Sequence, residues 1–181
     1  MAFVEIAINE LQINPFTKIG KEWTLITAGD IQKHNTMTAS WGGVGVLWNK
    51  NVATVYIRPQ RYTKEFVDGN EKFTLTFFSE QYRNALTYLG RVSGKDGDKI
   101  KESGLTPMEM EGTIAFKEAQ LVLVCKKLYA DTLKPECFLD RETERKCYPE
   151  KDYHTMYIAE IEKVFVREYN ENGSRKSLLP F

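Results

Sequence analysis

NTMTASWGGVGVLWNKNVATVYIRPQRYT, Asn35 to Thr63, sets small hydroxyl-bearing residues and a Trp at one end of a strand-rich run and two arginines, a Tyr and a Thr at the other. Side chains alternate along an extended chain, so Thr36, Thr38 and Ser40 share one face and Met37, Ala39 and Trp41 the other. One face is thus small and polar. It would let a flat ring approach backbone N–H and C=O groups, with Asn35 able both to donate and to accept. The same pattern fits a half-buried strand in which Trp41 anchors the core and the hydroxyls meet water, and periodicity does not choose between the two.

At the other end, Arg58 precedes Pro59, which keeps it extended and stops the strand, while Gln60 and Arg61 open a short helix. Free N–H groups at a helix start, guanidinium forks and the hydroxyls of Tyr62 and Thr63 would together suit a phosphate. The alternative is a solvated turn whose arginines pair with Glu65 or Asp68. Taken together, the two ends of the stretch suit a planar, phosphorylated cofactor.

The rest of the chain sets bounds. Its 181 residues, 42% hydrophobic and 28% charged, can bury one good core, so a single domain over residues 1–181 is expected. Lys plus Arg equals Asp plus Glu at 25 each, which gives no general attraction for nucleic acid or an anionic membrane; any anion site must be local. The N-terminal MAFVEIAINELQINPF carries Glu5 and Glu10 and no basic start, unlike a signal or transit peptide. No apolar run reaches the roughly 20 residues of a membrane span. A cytoplasmic protein is expected, and Cys125, Cys137 and Cys147, odd in number and without C-x-x-C spacing, read as reduced thiols. In that setting Asn172-Gly173-Ser174 is a turn signal and not a glycosylation site.

Strands are expected over Trp23–Thr27, Thr36–Trp41, Val52–Arg58, Phe73–Phe78, a long stretch from Gly112 to Tyr129, and Met156–Val166, from their β-branched and aromatic content. Short helices are expected over Gln60–Val67, with Tyr62 and Phe66 four apart, and Gln81–Leu89, with Tyr82, Ala85, Leu86 and Leu89 on one face. Many strands with few short helices argue a closed or nearly closed antiparallel barrel, which hides its edges. A doubly wound parallel sheet would need longer, alternating helices, and Gly42-Gly43-Val44-Gly45 is not the G-x-G-x-x-G fingerprint.

Other motifs fall away. Gly94 to Lys99, GKDGDK, has no Lys followed by Ser or Thr for a phosphate loop. Asp96 and Asp98 lack downstream calcium ligands and sit among Lys95, Lys99 and Lys101; a basic loop near an anionic cofactor or a solvated surface loop are the readings left. His34 and His154 are the only histidines, so no multi-histidine metal centre is expected and no metal is assigned. No Ser has a G-x-S-x-G context, and no paired carboxylates suggest hydrolysis.

Five blocks occur in order: NTMTASWGG, IRPQRYT, FTLTFF, SGKDGDKIKESGLTP from Ser93 to Pro107, and YHTMYIAEIEKV from Tyr153 to Val164. Together they resemble the flavin reductase-like family, which includes flavoredoxin. The resemblance implies a mainly β fold, the FMN-binding split β-barrel, antiparallel with Greek-key connections and a few short peripheral helices. It implies a homodimer with FMN close to the subunit interface and NADH or NADPH as electron donor. Asn35, Thr36, Met37, Thr38, Ala39, Ser40 and Trp41 would line the isoalloxazine and ribityl chain. Arg58, Arg61, Tyr62 and Thr63 would hold the phosphate, and Lys99 would add a cationic contact.

His154 falls in the family's His-x-x-aromatic-x-small-Glu pattern, here with Tyr157, Ala159 in place of the more usual Gly, and Glu160. It would lie near the reactive face of the flavin, positioning the nicotinamide or handling a proton. Phe181 is a further candidate to reach the pocket. The expected function is an NAD(P)H-dependent flavin reductase passing electrons to free flavin, a metal complex or a protein partner. The alternatives are a flavoredoxin-type electron carrier without nicotinamide activity and a non-catalytic binding module.

Overall fold

Lys72–Phe77, KFTLTF, shows how the chain builds its core. Phe73, Leu75 and Phe77 point into the larger apolar cluster, and the alternating threonines are fully buried too. The Thr74 hydroxyl donates to the Ile114 carbonyl at 2.6 Å and the Thr76 hydroxyl to that of Leu25 at 3.3 Å, so both faces of this strand are covered.

The computed structural model describes residues 2–167. The strands are β1 (Phe3–Ile6), β2 (Thr24–Gly29), β3 (His34–Ala39), β4 (Gly42–Leu47), β5 (Lys50–Ile57), β6 (Lys72–Phe77), β7 (Pro107–Met110), β8 (Thr113–Phe116), β9 (Leu121–Thr132) and β10 (Thr155–Arg167). The helices are α1 (Pro15–Lys18), α2 (Thr63–Gly69), α3 (Arg83–Arg91), α4 (Lys99–Ser103) and α5 (Arg141–Cys147). One sheet runs β3-β2-β6-β9-β10-β5-β4, with β1 added to β10, and β7 and β8 form a separate hairpin; every pairing is antiparallel.

Met37 and Ala39 on β3 share one cluster with Ala53, Val55 and Ile57 on β5, and Val44 of β4 packs against it. The two ends of the strand order thus meet over one core, although among the described residues no strand pairing joins them: the sheet is curled but split. Strand β10 makes the junction. Thr155–Glu160 pair with β5 and Val164–Arg167 with β1, and bulge-type register shifts against β9 at Ile158/Ala159 and Ile161/Lys163 let the long strand bend. Ala159 lies opposite Ala53, both fully buried, so a methyl group is accommodated where the family more often has Gly.

A second cluster covers the outer face, where Leu86 and Leu89 of α3 meet Val122, Val124 and Phe116, with Tyr82 and Ala85 alongside as the i, i+3, i+4, i+7 pattern expects. The expected strand from Gly112 to Tyr129 is two strands. The Lys117–Gln120 connection separates β8 from β9, with Ala119 N–H donating to the Phe116 carbonyl. Strand β4 covers the glycine-rich Gly42–Leu47, and its residues pair with β5 through a two-residue turn at Trp48 and Asn49, both at positive φ (53° and 58°). Asn172–Ser174 and Phe181 lie outside the described residues.

Candidate functional site

Two cations converge on the C-terminal end of α3. Arg61 Nη1 donates to the Gly90 carbonyl at 2.7 Å, and Lys99 Nζ donates to those of Leu89 at 3.3 Å and Val92 at 3.1 Å. Carbonyls left over at a helix end carry the negative pole of its dipole, so the arrangement is favourable locally. They are still dipoles and not charges. Among the described residues no carboxylate lies within ion-pair distance of Arg61 or Lys99. Lys99 is only 4% exposed. Burial, reinforced by the Arg61 charge, pulls its pKa down to about 8. Arg61 and Lys99 thus stand close together with no carboxylate beside them among the described residues, an arrangement whose electrostatics favour an anion.

Asn35, 3% exposed, donates through Nδ2 to Thr63 Oγ1 at 3.3 Å and ties β3 to the first residue of α2. The loop after α3 presses on the same side chain. A Cβ at Gly94 would stand 2.7 Å from Asn35 Oδ1, so a methyl group here would displace the Asn35 amide. Asn35, Tyr62 and Lys99 line a cavity of about 690 Å³ between the β2–β3 turn, α2 and the segment from Gly94 to Pro107. That volume falls within the range of small-molecule and cofactor pockets.

A second group forms around His154, which is 7% exposed. Its Nδ1 meets the Tyr148 hydroxyl at 2.8 Å, and its ring lies 5.2 Å from that of Trp41 and 6.5 Å from that of Tyr56. Burial, then the Arg58 charge, lowers its pKa to about 4, with Arg61 adding to the effect and Asp152 opposing it. The imidazole is neutral throughout the physiological range. Arg58 forms an ion pair with Asp152, donates to the Cys147 carbonyl at 2.9 Å and lies over the Tyr148 ring at 5.2 Å.

The residues singled out from the sequence therefore divide. Asn35, Arg61, Tyr62, Thr63 and Lys99 come together at the end of α3. Trp41 and His154 meet in the second group, and Arg61 acts electrostatically on both. Arg58 is drawn from the cation group to Asp152; the expected alternative partners, Glu65 and Asp68, are taken by Lys95 and Lys64. Met37 and Ala39 turn into the core, and Thr36 is bound to Thr27 Oγ1 at 2.8 Å. The Thr38 hydroxyl donates to Leu86 O at 2.5 Å. These four offer a ligand backbone and not side chains, whereas Ser40 lies beyond the strand and is exposed.

The helix expected from Gln60 starts only at Thr63. The N–H groups of Arg61, Lys64 and Glu65 are already bonded to Arg58, Arg61 and Tyr62 carbonyls in tight turns, so an anion here is met by side chains more than by free amides. Tyr148 and Asp152 were not legible in advance, because they act across a loop with no period. YPEKDYH carries only a turn signal at its Pro.

The model of the flavin reductase like domain matches residues 16–179. The chain belongs to that family. Solved structures agree on its fold. The flavoredoxin of Desulfovibrio vulgaris (Miyazaki F) is 24% identical with a TM-score of 0.63, over 81% of this chain and 69% of that one. Flavoredoxin from Methanosarcina acetivorans is 24% identical at a TM-score of 0.62, with the same coverage of 81% and 69%. An FMN-binding domain of a flavin reductases-like enzyme from Shewanella baltica OS155 is 16% identical at 0.65, over 91% of this chain and 77% of that one. No curated protein matches the chain. The family's split barrel is what the curled sheet with unjoined ends at β3 and β4 represents. Among the described residues no helix is long and apolar enough to cross a membrane.

Proposed function

We propose that this chain is an FMN-binding flavoprotein oxidoreductase, reduced by NADH or NADPH and delivering electrons to free flavin, a metal complex or a protein partner. The observation that carries the reading is the pair of half-buried Arg61 and buried Lys99, the latter lining a cavity of about 690 Å³, with no carboxylate among the described residues to balance them. A phosphate monoester supplies the missing charge, and the neighbouring hydroxyls of Tyr62 and Thr63 are of the type that completes its hydrogen bonds. Asn35 and the backbone of Thr36–Trp41 would read the edge of the ring and the ribityl chain. The flavin, when bound, supplies the redox chemistry. The protein supplies placement.

His154 acts here by position. With its pKa near 4 the ring carries no acidic second proton to give at neutral pH and is too weak a base to take one efficiently. Purified protein should be yellow, and anaerobic NADH or NADPH should bleach the bound flavin. A colourless protein that does not retain added FMN would overturn the proposal and favour a non-catalytic binding module.

The flavoredoxins among the similar structures support a second reading, an electron carrier reduced by another protein. Slow or absent bleaching by both nicotinamides, with the flavin retained, distinguishes it. The reading includes a single domain over the whole chain, a cytoplasmic setting consistent with free Cys125, Cys137 and Cys147, and a homodimer. The dimer is supported by the end strand β4, whose Val46 is 73% exposed and whose turn residue Trp48 is 56% exposed beside Tyr129. Light scattering of wild type and Trp48→Asp checks it: a dimer that the variant weakens is expected, and a monomeric wild type would remove this part.

A further inference from the structure

Tyr148 is 6% exposed and follows the last residue of α5, its N–H bonded to the Glu144 carbonyl at 2.8 Å. Its ring is held at 4.9 Å from Tyr153 and 5.7 Å from Phe138, with the Arg58 guanidinium over it. The connection to His154 is also tied down. The Lys151 N–H donates to the Tyr148 carbonyl at 3.0 Å, with Lys151 at a φ of 57°, and Arg58 grips both the Cys147 carbonyl and Asp152. Phenol and imidazole are therefore presented to each other on a fixed frame.

The proton between them can be placed from the partners. Among the described residues the one acceptor at hydrogen-bond distance from the Tyr148 hydroxyl is His154 Nδ1, and the His154 backbone N–H also faces the phenolic oxygen. If the imidazole donated, the buried phenolic hydrogen would have no acceptor, a costly arrangement. With the phenol as donor, both atoms are satisfied and the ring proton must sit on Nε2. That nitrogen has no hydrogen-bond partner among the described residues. The charges nearby agree: Arg58 and Arg61 disfavour imidazolium, and Asp152 is engaged by Arg58 and by Gln60 at 2.8 Å. Glu144 on α5 accepts from Tyr153 at 2.7 Å and from Arg141 at 2.9 Å.

We propose that Tyr148 is a positioning residue: its hydroxyl donates to His154 Nδ1, fixes the imidazole as the Nε2–H tautomer, and so makes His154 a neutral hydrogen-bond donor toward a carbonyl oxygen of a bound heterocycle. The nature of the heterocycle rests on the flavin and nicotinamide reading above; the tautomer does not. Nothing is transferred in this role, and His154 does not cycle its proton.

The tautomer is read directly by long-range ¹H–¹⁵N correlation of full-length protein labelled at histidine, where only His34 and His154 give signals and His34→Gln assigns them. The expected result is a single Nε2–H form of His154 that stays neutral from pH 8 down to about pH 5, and a mixture of tautomers in Tyr148→Phe. An Nδ1–H form in wild type, or an unaltered single Nε2–H form in Tyr148→Phe, would overturn the proposal, whether or not flavin binds. On flavin-loaded protein, Tyr148→Phe and His154→Ala should slow flavin reduction by nicotinamide about tenfold, with retention of flavin unchanged, since one positioned hydrogen bond is lost. His154→Gln, which keeps an N–H donor, should recover most of the His154→Ala loss. A His154→Gln as slow as His154→Ala, or a pH limb in the rate near the ordinary histidine pKa that vanishes in His154→Gln, would show proton transfer and refute the donor role.

Discussion

Arg58 and Arg61 are three residues apart and chemically identical, yet one is neutralised and the other is not. Arg58 has Asp152 as counter-ion and Tyr148 beneath its guanidinium, and it stabilises the loop that carries His154. Among the described residues Arg61 has only a helix-end carbonyl and a second cation, Lys99, for company. A fully paired charge is spent within the protein, while an unpaired one is available to a ligand. In the proposed reading the anion belongs to the Arg61 side and a structural task to the Arg58 side, although the sequence presents both in one turn.

The largest effect expected is on the unpaired side. Replacing both Arg61 by Ala and Lys99 by Met should weaken FMN binding by about a hundredfold or more, each change costing roughly tenfold, as for lost charged hydrogen bonds. Fluorescence titration measures this, and near-normal affinity in the double variant would abolish the distinction. Arg58→Met should do the reverse: a lower thermal midpoint, because Asp152 and the Cys147 carbonyl lose their partner, with FMN affinity changed by less than about threefold. A large affinity loss with an unchanged midpoint would place Arg58 on the ligand.

The two sides also differ in pH dependence. His154 has a folded pKa of about 4, below its ordinary 6.5, so between these values the unfolded chain binds the proton and the native one does not. Its contribution to stability is therefore present above about 6.5 and lost as pH falls toward 4. Chemical denaturation of wild type against His154→Gln should show a shallower acid-side slope in the variant. Lys99, lowered to about 8 from 10.5, gains stability as pH rises through that window in the ligand-free protein, and Lys99→Met should lack the gain. Bound phosphate should erase it too, because the anion restores the ammonium's pKa; an identical slope with and without FMN would count against contact between the two. The smallest effect expected is at Gly94→Ala, where the added methyl displaces Asn35 and should lower FMN affinity about threefold with little change in unfolding.

Much of this was legible in one dimension. The 3.6-residue pattern from Tyr82 to Leu89 found the packed face of α3, and the Tyr62–Phe66 spacing found the ring contact of 5.1 Å. Strand positions were right for most of the sheet because β-branched and aromatic runs seldom fit anything else. Strand β4 was missed because three glycines between Gly42 and Gly45 carry no strand preference, and only pairing with β5 makes them extended. The burial of the β6 threonines comes from a second layer packed on their face, which alternation along one strand does not specify.

By itself, the sequence determined the family, the mainly β fold and the residue types of an anion site, because ordered motifs and side-chain periodicity are local properties of the chain. The tertiary structure alone decided which of those residues are paired within the protein. Only folding brings Asp152 to Arg58, 94 residues away, and sends Lys99 to Arg61 with no acid between them, and burial then magnifies the difference between a paired charge and an unpaired one.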